Sequence, residues 1–347
     1  MRKIGLIGSV CLDRLSASGQ AIRTTILYNE LVSRYGKDRL VLVNTHNKTN
    51  MLSLLLESIK CIIRCPDIII MVSSNGRRAY YPLLFFASKI LKKNVYNNVI
   101  GGNYAEYIRN NKKGKKYSAS FRVNWIQMNK QVDELLALGL NNVELLQNTK
   151  DVKALLPEDL KPYQDQVFRF CTFSRISVAK GIENAIQTVI SINEEAGKTI
   201  ATLDIFGIPD DDYKDEFLSL METVPSYIRY PGYIDYDKSV ETLKDYFCLL
   251  FPTTFFGEGF PGTVWDALAA GVPTIATDWR YNTEVVLDGI TGYVYSASAP
   301  EQLKEKMLYA MEHSDETNRM KKRCLVEAKK YSPEVVFPVV FKYFDKM

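Results

Sequence analysis

The sequence alternates between short, largely apolar segments and longer amphipathic ones. Leu40 to Val43 and Asp67 to Val72 are two of the apolar segments, and an amphipathic helix is predicted between them, from Met51 to Cys65. A strand that is apolar on both faces has to be covered on both faces, which is typical of parallel sheets flanked by helices. The alternation therefore predicts an α/β chain with parallel sheets.

A polar segment from Asn148 to Gln166, punctuated by Pro157 and Pro162, divides the chain. The length of 347 residues also suggests two domains. We place the boundary near residue 160, so that residues 1–160 form a first lobe and residues 161–331 a second lobe.

The charge is unevenly shared between the two parts of the chain. Residues 1–160 carry 24 Lys and Arg against 12 Asp and Glu, a net charge of +12, whereas residues 161–347 carry 20 against 28, a net charge of −8. A basic first lobe predicts an acidic partner. The sequence has no recognised nucleic-acid-binding motif, so we expect no nucleic acid among its partners.

The composition argues against a metal site. The six Cys lack metal-ligand spacing, and His46 and His313 are the two histidines of the chain. Asp210-Asp211-Asp212 precedes a predicted helix, so we interpret it as N-terminal helix charge.

No apolar run approaches the ~20 residues of a membrane span, and Lys3 to Val10 is predicted to be the first strand rather than part of a signal peptide. We therefore expect a cytoplasmic protein.

A glycine-containing polar loop runs into an Ala-rich helix between Phe255 and Ile275. Gly271-Val272-Pro273 is a typical helix end. The free N–H groups at the helix start would bind a phosphate or another anion. Glu258 in the loop and Asp266 in the first turns of the helix are good acceptors for hydroxyl groups. The stretch therefore predicts a nucleotide-sugar site.

The same stretch carries a family resemblance. Three features of the stretch resemble the donor-site signature of family 4 glycosyltransferases. They are the Glu-Gly-Phe-Pro motif, the seven residues between the two acids, and the following Ala-Leu-Ala-Ala-Gly-Val-Pro-Thr-Ile-Ala-Thr-Asp. The family usually has Glu at both ends of this spacing, and here Asp266 takes the second place. The resemblance implies the GT-B fold, with two Rossmann-like parallel-sheet lobes that face a central cleft. It also implies that a helix at about residues 332–347 packs back on the first lobe.

The second lobe is expected to bind the donor. Arg175 and Lys180, followed by Gly181, lie in one loop after a predicted strand, where two cations can neutralise a leaving diphosphate. This pattern resembles the family motif, and the implied catalytic residues are Arg175, Lys180 and Glu258. The implied donor-binding residues are Gly19, Arg23, Gly259, Phe260, Pro261, Gly262, Thr263, Asp266 and Glu284.

The first lobe is expected to bind the acceptor, because α/β proteins bind ligands beyond the carboxyl ends of their strands. Family members often carry a His after the fourth strand, and here Ile100-Gly101-Gly102-Asn103 takes that place. A tight turn that requires a positive φ explains these glycines equally well. The acceptor-side candidates are Ser74, Asn75, Arg77, Gly102 and Asn103.

A basic and aromatic segment from Tyr104 to Arg122 has two interpretations. It is either a solvated surface loop or, with Arg77, Arg78, Tyr80 and Tyr81, a face that contacts an acceptor or anionic membrane headgroups. The second interpretation predicts peripheral contact with the inner face of a membrane.

The resemblance implies a retaining transfer of a sugar from a nucleoside diphosphate sugar to a hydroxyl. The acceptor is expected to be a saccharide or a lipid-pyrophosphate-linked saccharide in bacterial cell-surface polysaccharide (capsule) synthesis. The nucleotide sugar is a co-substrate, and we expect neither a cofactor nor a metal. Two alternatives stay open, a GT-B epimerase and a non-catalytic nucleotide-sugar-binding protein.

Overall fold

The computed structural model describes residues 2–11, 19–46 and 50–345. The chain divides into two compact units, a first unit of residues 1–151 and 332–347 and a second unit of residues 152–331. The division thus falls between Asp151 and Val152, whereas the sequence-based boundary lies near residue 160. Most of the polar loop predicted from Cys11 to Gly19 lies outside the described residues.

The described residues form strands and helices in alternation. The strands are β1 (Ile4–Gly8), β2 (Leu40–Asn44), β3 (Asp67–Met71), β4 (Asn94–Asn98), β5 (Val123–Ile126), β6 (Val143–Leu145), β7 (Phe168–Phe173), β8 (Ala201–Phe206), β9 (Ile228–Gly232), β10 (Cys248–Phe251), β11 (Thr274–Thr277) and β12 (Gly292–Tyr295). The helices are α1 (Gly19–Tyr35), α2 (Met51–Arg64), α3 (Ser74–Lys89), α4 (Tyr104–Asn110), α5 (Lys112–Ser118), α6 (Asn129–Ala137), α7 (Ile182–Ala196), α8 (Lys214–Thr223), α9 (Ser239–Leu243), α10 (Gly262–Ala269), α11 (Gln302–Glu312), α12 (Ser314–Ala328), α13 (Pro333–Val336) and α14 (Pro338–Phe341).

The first unit is a six-stranded parallel sheet with the order β2-β1-β3-β4-β5-β6. Its strands β1 and β3 are buried along their whole length, which explains their apolar sequences. Along β3, Ile68 and Ile70 pack with α2, α3, α4 and α6, whereas Ile69 and Met71 pack with α1 and the C-terminal helices. The alternation places a hydrophobic core on each face of the sheet.

The second unit is a six-stranded parallel sheet with the order β12-β11-β10-β7-β8-β9. From β7 the chain proceeds outward through β8 to β9, and it then returns to β10 on the other side of β7. The neighbouring carboxyl ends of β7 and β10 are therefore a topological switch point, the place where open α/β sheets bind ligands.

The last segment of the chain belongs to the first unit. Phe344 is fully buried, and its ring centroid lies 4.9 Å from that of Tyr96 on β4. The Tyr343 hydroxyl donates to the Glu144 carboxylate at 2.9 Å. Apolar packing and polar anchors such as this one thus hold the C-terminal segment on the first unit.

No helix in the described parts of the chain is long and apolar enough to cross a membrane.

We predict that Phe344→Ala lowers the free energy of unfolding of the first unit by about 3–5 kcal/mol, because it empties a buried aromatic site. The control is Lys342→Ala, which removes a half-exposed ion pair with Glu144 and costs under about 1 kcal/mol. Urea unfolding followed by Trp125 fluorescence, with Trp265 and Trp279 changed to Phe, measures both. Equal effects of the two variants would contradict the packing described for the tail.

Candidate functional site

The loops after β7 and β10 meet at the switch point of the second unit. The Thr254 N–H, three residues beyond β10, donates to the Ala179 carbonyl at 2.8 Å. Ala179 lies in a short 3-10 helix, Val178–Lys180, that follows β7. This backbone hydrogen bond places Lys180 beside the loop that carries Glu258.

Lys180 and Glu258 form a buried ion pair. The Lys180 Nζ donates to Glu258 Oε2 at 2.6 Å, and the side chains are only 9% and 11% exposed. The Thr253 hydroxyl lies 3.2 Å from the same oxygen. Because a lone buried charge would be costly, each charge depends on the other, and the pair holds two strand ends in one arrangement.

Arg175 joins this pair through an aromatic ring. Its guanidinium carbon lies 5.5 Å from the centroid of Phe255, and Lys180 Nζ lies 5.2 Å from the same centroid. The Arg175 side chain is 53% exposed and contacts Asp210 at 3.3 Å. The structure therefore brings the three residues predicted to be catalytic to one place, with Phe255 between the two cations.

Gly181 makes the close approach of the two loops possible. It has a φ of +69°, and a Cβ on this residue would lie 2.3 Å from the carbonyl oxygen of Pro252. A side chain here would push the loop after β10 away from Lys180 and would also strain the backbone. The steric conflict with Pro252 therefore explains why a glycine follows Lys180 in the sequence.

The helix α10 begins beside the ion pair. Its N-terminal residue Gly262 follows Pro261, and no side chain caps this end. The Thr263 hydroxyl donates to the carbonyl of Phe173, the last residue of β7. The predicted residues Gly259 and Pro261 are buried in this turn, and Gly262 and Thr263 are half-buried. The helix start is thus fixed at the switch point, where its first N–H groups can bind an anion.

Asp266 is buried one turn into α10, with 1% of its surface exposed. The Ser239 hydroxyl donates to its Oδ1 at 3.0 Å. The orientation of this carboxylate is therefore set by α9, which begins at Ser239. The binding of donor hydroxyl groups by Asp266 stays a prediction.

The other predicted donor residues of the second unit lie close to α10. Phe260 is buried, and its ring centroid lies 4.8 Å from that of Tyr331. Glu284 is the last residue of a 3-10 helix, Asn282–Glu284. Phe260 thus helps to pack the loop, and the proposed contact of Glu284 with the donor is untested.

Gly19 and Arg23 lie at the start of α1 in the first unit. Gly19 is exposed, but Arg23 is only 4% exposed and donates through Nη2 to the Leu146 carbonyl at 3.1 Å. Burial lowers the pKa of Arg23 to about 9. Its Nη1 is buried without a hydrogen-bond partner among the described residues. Arg23 is therefore a buried residue of the first unit rather than a solvated helix residue.

The acceptor-side candidates differ in exposure. Ser74 and Asn75 are exposed at the start of α3. Arg77 is buried and donates to the Ile100 carbonyl at 2.9 Å, with Tyr104 stacked 4.9 Å from its guanidinium. Arg77 therefore supports the loop after β4.

The Gly-Gly-Asn junction forms a turn after β4. Gly101 has a φ of +86°, as the turn interpretation requires. The Gly102 carbonyl accepts a hydrogen bond from Gln131 Nε2 at 2.7 Å. Asn103 precedes α4 and is half-buried.

The aromatic part of the predicted basic and aromatic face is buried, whereas several of its basic residues are exposed. Residues 104–118 are the helices α4 and α5 rather than a loop. Tyr80, Tyr81, Tyr104 and Phe121 are buried in the core. The Tyr104 hydroxyl bonds to Asn97 and Ser118, so polar partners inside the unit hold the ring away from solvent.

Sequence reasoning missed one pair at the carboxyl ends of β1 and β2. Ser9 Oγ lies 3.0 Å from His46 Nδ1. Both residues follow neighbouring parallel strands, and this was the signal that could have placed them together.

Across the described residues, no group of three His, Cys, Asp or Glu side chains could hold a metal ion.

We predict that Lys180→Met lowers the free energy of unfolding of the second unit by about 3–5 kcal/mol, because it leaves the Glu258 charge buried without its cation. Lys180→Met combined with Glu258→Leu removes both charges and is expected to cost less. Urea unfolding followed by Trp265 fluorescence, with Trp125 and Trp279 changed to Phe, compares the two. A double variant as unstable as the sum of the single ones would contradict the coupling.

Comparison with known proteins agrees with this geometry. Residues 160–324 match the model of the family described as glycosyl transferases group 1. The chain is 20% identical over 182 residues to an uncharacterized glycosyltransferase of Methanocaldococcus jannaschii, covering 51% of this chain and 43% of that protein. It is 28% identical over 165 residues to the GtfA subunit of the UDP-N-acetylglucosamine–peptide N-acetylglucosaminyltransferase of Streptococcus agalactiae, covering 46% of this chain and 31% of that protein. The matched part thus spans less than half the length of these curated relatives.

The crystal structure of Anabaena HepE in complex with UDP resembles the whole chain. The TM-score is 0.76 with 13% sequence identity, and the alignment covers 100% of both chains. A crystal structure of HepE with UDP-glucose gives a TM-score of 0.75 at 12% identity, again over 100% of both chains. The predicted α/β fold with two Rossmann-like parallel-sheet lobes is confirmed as the GT-B fold, and residues 160–324 match a group 1 glycosyl transferase domain.

Proposed function

We propose that the chain is a retaining glycosyltransferase of family 4. It transfers a sugar from a nucleoside diphosphate sugar to a hydroxyl of a saccharide or lipid-linked acceptor. The observation that carries the proposal is the buried pair of Lys180 and Glu258 at the switch point of the second unit, with Arg175 on the shared Phe255 ring. The match to group 1 glycosyl transferases over the same residues supports it.

The side chains suit a leaving diphosphate. Lys180 and Arg175 supply positive charge, and the start of α10 adds N–H groups. Glu258, held by Lys180 and Thr253, is placed to accept hydrogen bonds from sugar hydroxyls. Because the ion pair fixes these groups before the donor binds, little reorganisation is required. The proposal needs no metal ion and no cofactor.

The reaction that we propose exchanges one bond for another. The bond between the anomeric carbon and the diphosphate oxygen breaks, and its electron pair leaves with the diphosphate. The acceptor oxygen forms the new bond on the same face of the sugar. The acceptor proton passes to the leaving phosphate oxygen, so no side chain has to act as a base. Asp266, oriented by Ser239, is proposed to bind the ribose.

We propose a UDP-sugar as the donor. HepE was solved with UDP and with UDP-glucose, and the name of the streptococcal relative contains UDP-N-acetylglucosamine. The basic first unit suits an acidic acceptor such as a lipid pyrophosphate. We place the activity in bacterial cell-surface polysaccharide synthesis, at the inner face of the membrane.

We predict that UDP raises the thermal unfolding temperature of the chain more than GDP, ADP or CMP does, because a ligand that binds only the native state stabilises it. Arg175→Ala should abolish the shift without lowering the melting temperature, since this side chain is half-exposed. The matched control is Arg319→Ala, an exposed arginine on α12, which should retain the shift. Differential scanning fluorimetry measures all three proteins.

Four outcomes would contradict the proposal. If no nucleotide raises the thermal unfolding temperature, the assignment of the donor site is contradicted. Nucleotide binding without transfer to any acceptor would favour a non-catalytic protein. Product analysis by NMR tests the chemistry, because an inverted anomeric configuration excludes retention and a change at a single sugar carbon without transfer indicates an epimerase.

A further inference from the structure

The helix α2 is apolar on two sides. Its inner side contributes the buried residues Leu54, Cys61 and Ile62 to the core. Its outer side carries six further apolar residues that are between 37% and 67% exposed. We call this set the α2 apolar face, and it consists of Met51, Leu52, Leu55, Leu56, Ile59 and Ile63. An ordinary surface helix has one apolar stripe and a polar side opposite to it, whereas this second stripe is exposed and lacks a covering element among the residues that the structure describes.

The end of α3, a neighbour of α2, also exposes apolar side chains. The two helices are neighbours, because Ser58 Oγ lies 3.1 Å from Tyr80 Oη and Lys93 Nζ donates to the Ile63 carbonyl at 3.0 Å. Phe86 is exposed on α3, as are Ile90 and Leu91 immediately after it. Three further apolar side chains are thus exposed on the neighbouring helix and directly after it.

The two helices also carry exposed positive charges. Lys60 and Arg64 are exposed on α2, and Lys89 and Lys92 are exposed at the end of α3. Glu57 is the one acidic residue of α2, and it is half-buried, with Ser53 Oγ at 3.3 Å. Long basic side chains can cover apolar surface with their stems while their charges reach out to phosphate groups.

We propose that the α2 apolar face docks the first unit on an anionic lipid bilayer. A helix with exposed Leu and Ile beside Lys and Arg has the chemistry of a helix that lies in the plane of a membrane interface. Contact between two copies through this face would bring Lys60 and Arg64 of both copies together, which like-charge repulsion disfavours. This inference names the partner surface of the proposed enzyme, but it rests on α2 alone and not on the transfer reaction.

Co-sedimentation with lipid vesicles tests the proposal. The full chain should bind vesicles of equal parts phosphatidylcholine and phosphatidylglycerol and should not bind phosphatidylcholine alone. Leu56→Glu with Ile63→Glu should lower the partition coefficient at least tenfold, and Leu56→Ser with Ile63→Ser is the milder version. The matched control is Leu136→Glu with Val326→Glu, which changes exposed apolar residues on α6 and α12 and should bind as the unmodified chain does.

The charges are tested separately. Lys60→Gln with Arg64→Gln should weaken binding several-fold at low salt and should reduce its salt dependence, because fewer cations face the lipid. The thermal shift with UDP is measured on every variant, so that loss of vesicle binding is distinguished from unfolding and from loss of the donor site.

Three results would overturn the proposal. The first is no binding of the unmodified chain to the anionic vesicles, and the second is binding that the α2 variants retain. The third is a lipid-free dimer, seen by light scattering, that Leu56→Glu with Ile63→Glu dissociates, because the face would then serve self-association. Equal loss in the control variant would also count against α2 as the docking surface.

Discussion

The ion pair between Lys180 and Glu258 is the interaction on which the candidate site depends. It connects the loops after β7 and β10, the two strands from which the second sheet extends in opposite directions. Two charges removed from water are stable only with good geometry, and here Thr253 adds a further hydrogen-bonding group. The conformation of both loops is therefore coupled to the pair, as are the positions of Phe255 and the start of α10.

Much of this site could be predicted because the residues that form its motifs are close together in the sequence. Lys180 and Gly181 are adjacent in the chain, and Glu258 and Asp266 stand at the two ends of one loop and helix. The reason for Gly181 became clear only with the fold, because the carbonyl that excludes a side chain belongs to the distant residue Pro252. Ser239 and Thr253 were missed for the same reason, since nothing near them in the sequence indicates a buried carboxylate.

The sequence was a weaker guide to the first unit. Arg77, Tyr81 and Tyr104 look like surface residues in the sequence, yet all three are buried. The strand residue Asn97 accepts a hydrogen bond from the Tyr81 hydroxyl and donates one to the Tyr104 hydroxyl, which holds the two tyrosines inside. A single sequence does not show which polar groups will find buried partners. The pattern of α2 correctly indicates an amphipathic helix, but the apolar residues on its outer side are recognised only when the fold shows which side is already covered.

The C-terminal segment of the first unit has a consequence for synthesis on the ribosome. Phe344 completes a core that begins with Ile4 on β1, so the sheet of the first unit is covered on that face only after residues 332–344 have been made. All of the second unit, residues 152–331, is made before that point. Domains generally fold as units as they emerge. The nascent chain can therefore contain a folded second unit while Tyr96 and Trp125 of the first unit are still exposed to solvent. We expect chaperones to bind the chain at that stage.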